Sequence, residues 1–136
     1  MLPKAHIILG AIFSIILYFL GLTPLQCTVI FLSSFLIDFD HYAWYVIKKK
    51  DFSLRNAYYF LKGLEKEKPV MMIFHTFEFI LLILILSLFY DFFLFILIGM
   101  LFHSLLDVID LKYNKELHLR EFLFLKYLFS DKSKYH

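Results

Sequence analysis

Histidine and carboxylate side chains occur in this sequence as three pairs, each separated by about one helical turn. The pairs are Asp38 with His41, His75 with Glu78, and His103 with Asp107. Residues three or four apart share a helix face, so each pair would present an imidazole beside a carboxylate. Both groups are ligands for zinc, manganese and iron, and helical carboxylate sites use Glu and His at such spacings. The spacing predicts a metal site assembled by several helices.

Two further residues extend the predicted site. His6 lies four residues before Gly10, a small residue that permits close helix packing, and Asp40 lies between the members of the first pair. The predicted metal ligands are His6, Asp38, His41, His75, His103 and Asp107. Glu78 or Asp40 would be the general base, since neither need be a ligand. Each residue also has an interpretation without a metal. His6 would be an interfacial side chain, and the acidic motif at 38–41 would be a solvated helix end. The other two histidine–carboxylate pairs would be buried hydrogen-bonded or structural pairs.

The composition indicates a membrane protein of a single domain, residues 1–136. The chain is 61% hydrophobic and 21% aromatic with a mean hydropathy of +0.73, whereas soluble domains are about 45–50% apolar. Its one cysteine, Cys27, excludes an internal disulfide and a cysteine-based zinc site. No phosphate-binding glycine loop or nucleic-acid module is present, so no nucleic-acid partner is predicted.

Four apolar segments are candidates for crossing a bilayer, which requires about 20 residues. They cover residues 5–22, 24–46, 70–90 and 92–109. The second segment spans only if its helix continues past Asp38 to Val46, or if the bilayer thins locally. The first resembles a signal peptide in its Lys4 and apolar core, but the small-residue cleavage pattern is missing and three more spans follow.

The distribution of charge predicts the topology. All 14 Lys and Arg residues fall at the N-terminus, in the loop 48–68 or in the tail 112–136. The positive-inside rule places these regions in the cytoplasm. The predicted fold is therefore all-α, with two transmembrane hairpins in the cytoplasmic membrane and both termini inside. The polar residues of all four spans then meet at the cytoplasmic face.

Two charged segments have apolar residues at helical spacing. Ser53–Glu67 would begin with Ser53 as its N-cap, and Leu117–Phe129 alternates aromatic and charged residues in a similar way. Both patterns are typical of interfacial amphipathic helices. The alternative is an ordinary loop and a frayed tail.

Four motifs carry a resemblance to a known family. In chain order they are "KAHIILG", "SSFLIDFDH", "FHTFE" and "FHSLLD". The sequence resembles, over nearly its whole length, the small YdjM-like membrane-bound metal-dependent hydrolases. More remotely it is similar to zinc-dependent phospholipase C and P1-type nucleases, whose HxxxD ligand pair matches "HSLLD". The resemblance implies a metal-bound hydrolytic site, with phosphoesters as the remote analogy.

These observations predict a membrane-embedded hydrolase in which a metal-activated water attacks a phosphoester at the cytoplasmic face, with lipid phosphoesters among the candidate substrates. Zinc is the expected cofactor from the histidine-rich set, with manganese or magnesium as alternatives. The rival hypothesis is a non-catalytic membrane protein whose polar cluster is structural or binds a metal or partner without hydrolysis. A metal channel is disfavoured because the outer halves of the spans are almost wholly apolar.

Overall fold

The computed structural model describes residues 3–64 and 70–131 and is mostly helical, which confirms the all-α prediction. The helices are α1 (Pro3–Phe19), α2 (Pro24–Leu36), α3 (Phe39–Lys49), α4 (Leu54–Leu64), α5 (Phe77–Ser87), α6 (Asp91–Tyr113) and α7 (Phe124–Phe129). The described residues also form two-residue strands, β1 (Val70–Met71) and β2 (Arg120–Glu121), and two short 3₁₀ turns. Residues 65–69, which include the end of the predicted cytoplasmic loop, and residues 132–136, the end of the predicted tail, lie outside the described residues.

Helices α1 and α2 form one hairpin and α5 and α6 form the other, with α6 packed against both α2 and α5. The α1–α2 turn uses Gly21 at a φ of +105°, which favours glycine. Thr23 and Gln26 then cap α2 reciprocally: the Thr23 amide donates to the Gln26 side chain (2.8 Å), and the Gln26 amide donates to the Thr23 hydroxyl (3.4 Å). These local signals fix where α2 starts.

Glycine allows close approach of helices to α2 at two points. A Cβ atom on Gly99 would overlap both the Ser33 hydroxyl and the Ile30 carbonyl oxygen. A Cβ atom on Gly10 would overlap the Ser34 hydroxyl. Helix α6 is therefore held against α2 at a distance that only glycine permits, and α1 also approaches α2 closely at Gly10, immediately before the acidic motif.

The segment 24–46 is two helices rather than the one continuous helix considered above. Helix α2 ends at Leu36, and the chain turns through Ile37 and Asp38 before α3 begins. Short-range bonds tighten this turn, because the Asp38 amide donates to the Phe35 carbonyl (3.2 Å) and the His41 amide to the Asp38 carbonyl (3.1 Å). The turn places the acidic motif at a helix junction.

The third apolar segment also departs from a single helix. His75 lies in a 3₁₀ turn, Ile73–His75, and Thr76 has an extended backbone and accepts the Phe79 amide on its hydroxyl at 3.3 Å. Thr76 therefore acts as the N-cap of α5. The predicted shared helix face for His75 and Glu78 does not exist, because the cap separates the two residues.

The structure of the tail differs from the prediction, whereas α4 agrees with the helix predicted to begin at Ser53. The predicted helix 117–129 is divided into a 3₁₀ turn, strand β2 and the six-residue α7. Strand β2 pairs in parallel with β1, and the Phe77 amide donates to the Phe122 carbonyl at 2.9 Å. These long-range bonds outweigh the local helical pattern. By contrast, α4 begins after Ser53, whose hydroxyl accepts the Asn56 amide at 3.3 Å, as predicted for an N-cap.

Among residues 3–64 and 70–131, α6 is the helix with the length and apolar character required to cross a bilayer. Helices α1 and α5 are apolar but shorter. At about 1.5 Å per residue, the 17 residues of α1 extend about 25 Å and the 11 residues of α5 about 17 Å.

Candidate metal centre

Four of the predicted ligands converge on one point from three parts of the chain. Asp38 comes from the α2–α3 turn, His75 from the 3₁₀ turn before α5, and His103 and Asp107 from adjacent turns of α6. Each offers one ligand atom, and these atoms lie within 4.8 Å of one another. The two histidines and Asp107 are buried, while Asp38 is partly exposed. The cluster is therefore enclosed on the α6 side and open beside Asp38.

The distances within this four-residue cluster suit tetrahedral coordination. The two histidine Nε2 atoms are 3.1 Å apart, and they lie 3.4–3.7 Å from Asp38 Oδ1 and Asp107 Oδ2. Ligands at about 2.0–2.1 Å from a tetrahedral zinc are separated from one another by about 3.3 Å. The histidine–histidine and histidine–carboxylate distances are thus close to those around a tetrahedral zinc, and all four atoms lie within 4.8 Å of one another.

The partner of each ring's other nitrogen assigns its tautomer. His103 Nδ1 donates to the Ser34 carbonyl oxygen at 2.8 Å, and His75 Nδ1 donates to Asp40 Oδ2 at 3.3 Å. A proton on each Nδ1 leaves the Nε2 lone pairs directed into the cluster. Metal-binding histidines commonly have a carboxylate or carbonyl partner of this kind.

The role of Ser34 was not predicted from the sequence, because its contribution is a backbone carbonyl. The carbonyl is available because α2 ends two residues later, and the last carbonyls of a helix lack intrahelical partners. The early end of α2 thus creates the acceptor that orients His103. The Ser34 hydroxyl makes a local bond to the Phe31 carbonyl at 2.7 Å.

His6 lies beside the cluster rather than among its four ligand atoms. Its ring stacks on His103 with centroids 4.0 Å apart, and its Nε2 is 3.1 Å from Asp107 Oδ1, the oxygen not counted in the cluster. The side chain is 1% exposed, and neither nitrogen has the alignment of a hydrogen bond with the described residues. His6 is therefore close enough to support Asp107 or to add a ligand.

Asp40 and His41 form a second group around His75, with ligand atoms within 4.8 Å of one another. Asp40 Oδ2 accepts from the Phe74 amide (2.9 Å) as well as from His75, whereas its buried Oδ1 has no hydrogen bond with the described residues. His41 Nε2 is 3.7 Å from Asp38 Oδ1 and also lacks a hydrogen bond there. All six predicted ligands thus lie in or next to one polar centre.

Glu78 is placed differently from the prediction that it shares a face with His75. Its carboxylate oxygens accept the backbone amides of Phe124 (3.0 Å) and Leu125 (3.1 Å) at the start of α7. The Thr76 cap directs the first turn of α5 toward the tail. Glu78 is thereby engaged in holding the tail, and Asp40 is the better placed of the two predicted bases.

Arg120 is the site residue that the sequence interpretation missed. Its Nη1 donates to Asp107 Oδ2, and its side chain is 11% exposed. In the sequence, Arg120 is one more charge in a basic tail. The pairing of β2 with β1 and the long-range bonds of the residues that follow bring it to the cluster, and two-residue strands have no periodic signal.

An apolar crevice runs between α2, α5 and α6 toward the metal centre. Its volume is about 310 Å³, and its lining is apolar except for Ser33, whose hydroxyl bonds to backbone carbonyls of its own helix. The lining includes Ile37 and Phe74, the residues immediately before Asp38 and His75. One end of the crevice therefore adjoins the cluster.

Comparisons with family models, with curated proteins and with solved structures found no match.

Proposed function

We propose that this protein is a membrane-embedded, metal-dependent hydrolase that acts on a phosphoester at the cytoplasmic face. The observation that supports this most strongly is the set of four ligand atoms from Asp38, His75, His103 and Asp107, whose histidine–histidine and histidine–carboxylate distances of 3.1–3.7 Å are close to the edge of a coordination tetrahedron. Lone pairs and carboxylates this close to one another favour a positive charge among them, either an ion or a proton. Zinc suits the two imidazoles and two carboxylates best, with manganese or magnesium as alternatives.

A bound divalent ion would supply a water whose pKa is lowered to about 7 and would polarise the scissile bond. The protein residues do the remaining work. Asp40 and the Ser34 carbonyl hold the two histidine rings in position from behind. Asp40 remains the proposed base, and because it lies on the far side of the His75 ring it would take the proton through one intervening water. Asp38, the most exposed of the four ligands, lies on the side from which substrate would approach.

The proposed membrane topology is four crossings arranged as two hairpins. Large apolar side chains are exposed along α1, for example Ile8 (60%) and Phe19 (81%), and in the α5–α6 turn, for example Phe89 (74%). A soluble protein rarely exposes so continuous an apolar surface. Helices α2 and α5 are shorter than a bilayer core. Irregular backbone is tolerated at that depth where it is buried in protein or lines a polar cavity, as the turns at Asp38 and His75 do.

A lipid phosphoester is the proposed substrate class. The apolar crevice follows α2 and α6 along their axes and adjoins the metal centre at Ile37 and Phe74. A lipid with its chain in this crevice would present its headgroup to the cluster. The resemblance to YdjM-like hydrolases in "SSFLIDFDH" and "FHSLLD" points to the same class of reaction.

The alternative is a non-catalytic protein whose polar cluster ties the hairpins together. The observation that favours it is the 3.1 Å contact between His75 Nε2 and His103 Nε2. One protonated imidazole could donate across this contact and be neutralised by Asp38 and Asp107. Such a network would be indifferent to metal.

Elemental analysis of the protein purified in mild detergent distinguishes a metal-dependent hydrolase from a non-catalytic protein with a structural polar cluster. The wild type and the matched control His118→Ala, which removes an exposed histidine, should hold near-stoichiometric zinc or manganese, whereas His103→Ala and Asp38→Ala should lose it. The wild type should then hydrolyse phosphoesters in a screen that includes lipid substrates. A wild type that stays metal-free after incubation with both ions would contradict the proposal.

A further inference from the structure

The position of Arg120 has a consequence for substrate recognition. Its guanidinium hydrogen-bonds to Asp107, a member of the four-residue cluster, and is largely buried at 11% exposure. A guanidinium remains protonated in proteins and has no acceptor, so Arg120 is neither a metal ligand nor a base. It adds a fixed positive charge directly beside the candidate metal centre.

The chain holds Arg120 there by several independent bonds. Strand β2 pairs with β1 on one side, and the Phe77 amide donates to the Phe122 carbonyl on the other. The Glu78 carboxylate accepts two amides at the start of α7, and Lys126 Nζ donates to Glu121 Oε2 at 2.7 Å. The segment that carries Arg120 is thus anchored at the residue itself and at the residues that follow it.

A divalent ion and the Arg120 guanidinium together carry three positive charges, whereas the two carboxylates of the cluster, Asp38 and Asp107, carry two negative ones. The cluster with its ion and Arg120 would therefore keep one positive charge, which attracts an anionic ligand. The planar guanidinium has five N–H donors, and Nη1 makes the bond to Asp107, so further donors can reach oxygens of a phosphoryl group. Arrangements of this kind stabilise the negative charge that develops during phosphoryl transfer.

We propose that Arg120 binds a non-bridging phosphoryl oxygen of the substrate, which lies between the guanidinium and the ion held by the four-residue cluster. This inference rests on the proposed function. It assigns the substrate an anionic phosphoryl group and makes the tail part of the substrate site.

The test compares Arg120→Gln and Arg120→Lys with Arg55→Gln. The chain contains only these two arginines, and Arg55 lies on the exposed face of α4, so its substitution is the matched control. Each protein is loaded with zinc, its metal content is measured, and its melting temperature is compared with that of the wild type. Binding of inorganic phosphate and of phosphatidic acid in detergent micelles is then measured by calorimetry.

Arg120→Gln should keep its metal and lose about tenfold to a hundredfold in affinity for the phosphoryl ligand, as expected for losing a charged hydrogen bond. Arg120→Lys should fall between Arg120→Gln and the wild type, and Arg55→Gln should match the wild type. An effect on phosphatidic acid alone would identify a lipid headgroup as the source, and an effect on both ligands would identify the phosphoryl group itself.

Two results would overturn the inference while leaving the proposed function intact. The first is unchanged phosphoryl binding by a metal-loaded, folded Arg120→Gln protein. The second is loss of metal from both Arg120 variants, which would show that the guanidinium serves only to hold Asp107. A metal-free wild type would instead refute the proposed function, and the inference with it.

Discussion

The Nε2 atoms of His75 and His103 lie 3.1 Å apart, although the Nδ1 atom of each ring already donates to an oxygen on its far side. Two neutral rings in these tautomers direct lone pairs at each other. The contact is favourable only with a cation or an additional proton between the rings. The direction of the Nε2 lone pairs is thus set by Asp40 and the Ser34 carbonyl, which lie behind the rings.

Replacement of Asp40 by asparagine should weaken metal binding without abolishing it. The carboxylate holds His75 through Nδ1 and also accepts the Phe74 amide, and loss of such an orienting partner typically lowers metal affinity about tenfold to a hundredfold. Competition with a chelator of known affinity measures the change. Asp91→Asn, at the opposite end of α6, is the control. An Asp40→Asn protein with wild-type affinity would show that Asp40 does not orient His75.

Replacement of Glu78 by alanine should loosen the tail and leave the metal content unchanged. The carboxylate accepts the amides of Phe124 and Leu125, and both bonds would be lost. Hydrogen–deuterium exchange should therefore accelerate at the start of α7 while α6 stays protected. Unchanged exchange at the start of α7 would show that Glu78 does not hold the tail.

Substitution of Gly99 by alanine should destabilise the protein more than the same change at Gly10. At Gly99 the new methyl group meets the backbone carbonyl of Ile30, which cannot move without α2. At Gly10 it meets the Ser34 hydroxyl, which can rotate away. Overpacking of a fixed contact costs about 1–3 kcal/mol. Melting temperatures in detergent test the order, and equal values for the two variants would contradict it.

Acidification should weaken the corner between α3 and α4, residues 50–53, by protonating the Asp51 carboxylate. Its carboxylate accepts from the Tyr45 hydroxyl (2.5 Å), the Asn56 side chain (2.9 Å) and the Ser53 amide (2.9 Å), and these bonds lower its pKa below the usual carboxyl value. A lowered folded-state pKa contributes stability above the unfolded-state pKa, about 3.9, and this stability is lost as the pH falls through the folded-state value.

Asp51→Asn isolates this contribution, because the other titrating groups are common to both proteins. The difference in melting temperature between the wild type and Asp51→Asn should be largest near neutral pH and should shrink below about pH 4. A difference that stays constant with pH would show that the Asp51 charge does not stabilise the corner.

The polar centre was predictable because charged residues within apolar segments are conspicuous. Asp38, His75, His103 and Asp107 each interrupt such a segment, and they do lie together. The positions of the helix ends were less predictable. Asp38 and Thr76 mark helix ends within single apolar stretches: the Thr76 hydroxyl caps α5 locally, and Asp38 faces His103 of α6.

The roles of Arg120 and the Ser34 carbonyl could not be predicted from the sequence, for a different reason. Their roles depend on bonds between segments that are distant along the chain: β1 with β2, and α2 with α6. Helical periodicity reports which residues share a face, but it does not report which faces meet.

The four-residue cluster draws on both halves of the described chain: Asp38 belongs to residues 3–64, while His75, His103 and Asp107 belong to residues 70–131. An ion held there binds only when the two halves are assembled. By mass action, free ion at about 100 times its dissociation constant would stabilise the assembled state by about 2.7 kcal/mol. The ion would therefore act as a reversible crosslink between the hairpins, and the lifetime of the purified protein would depend on the metal content of its buffer.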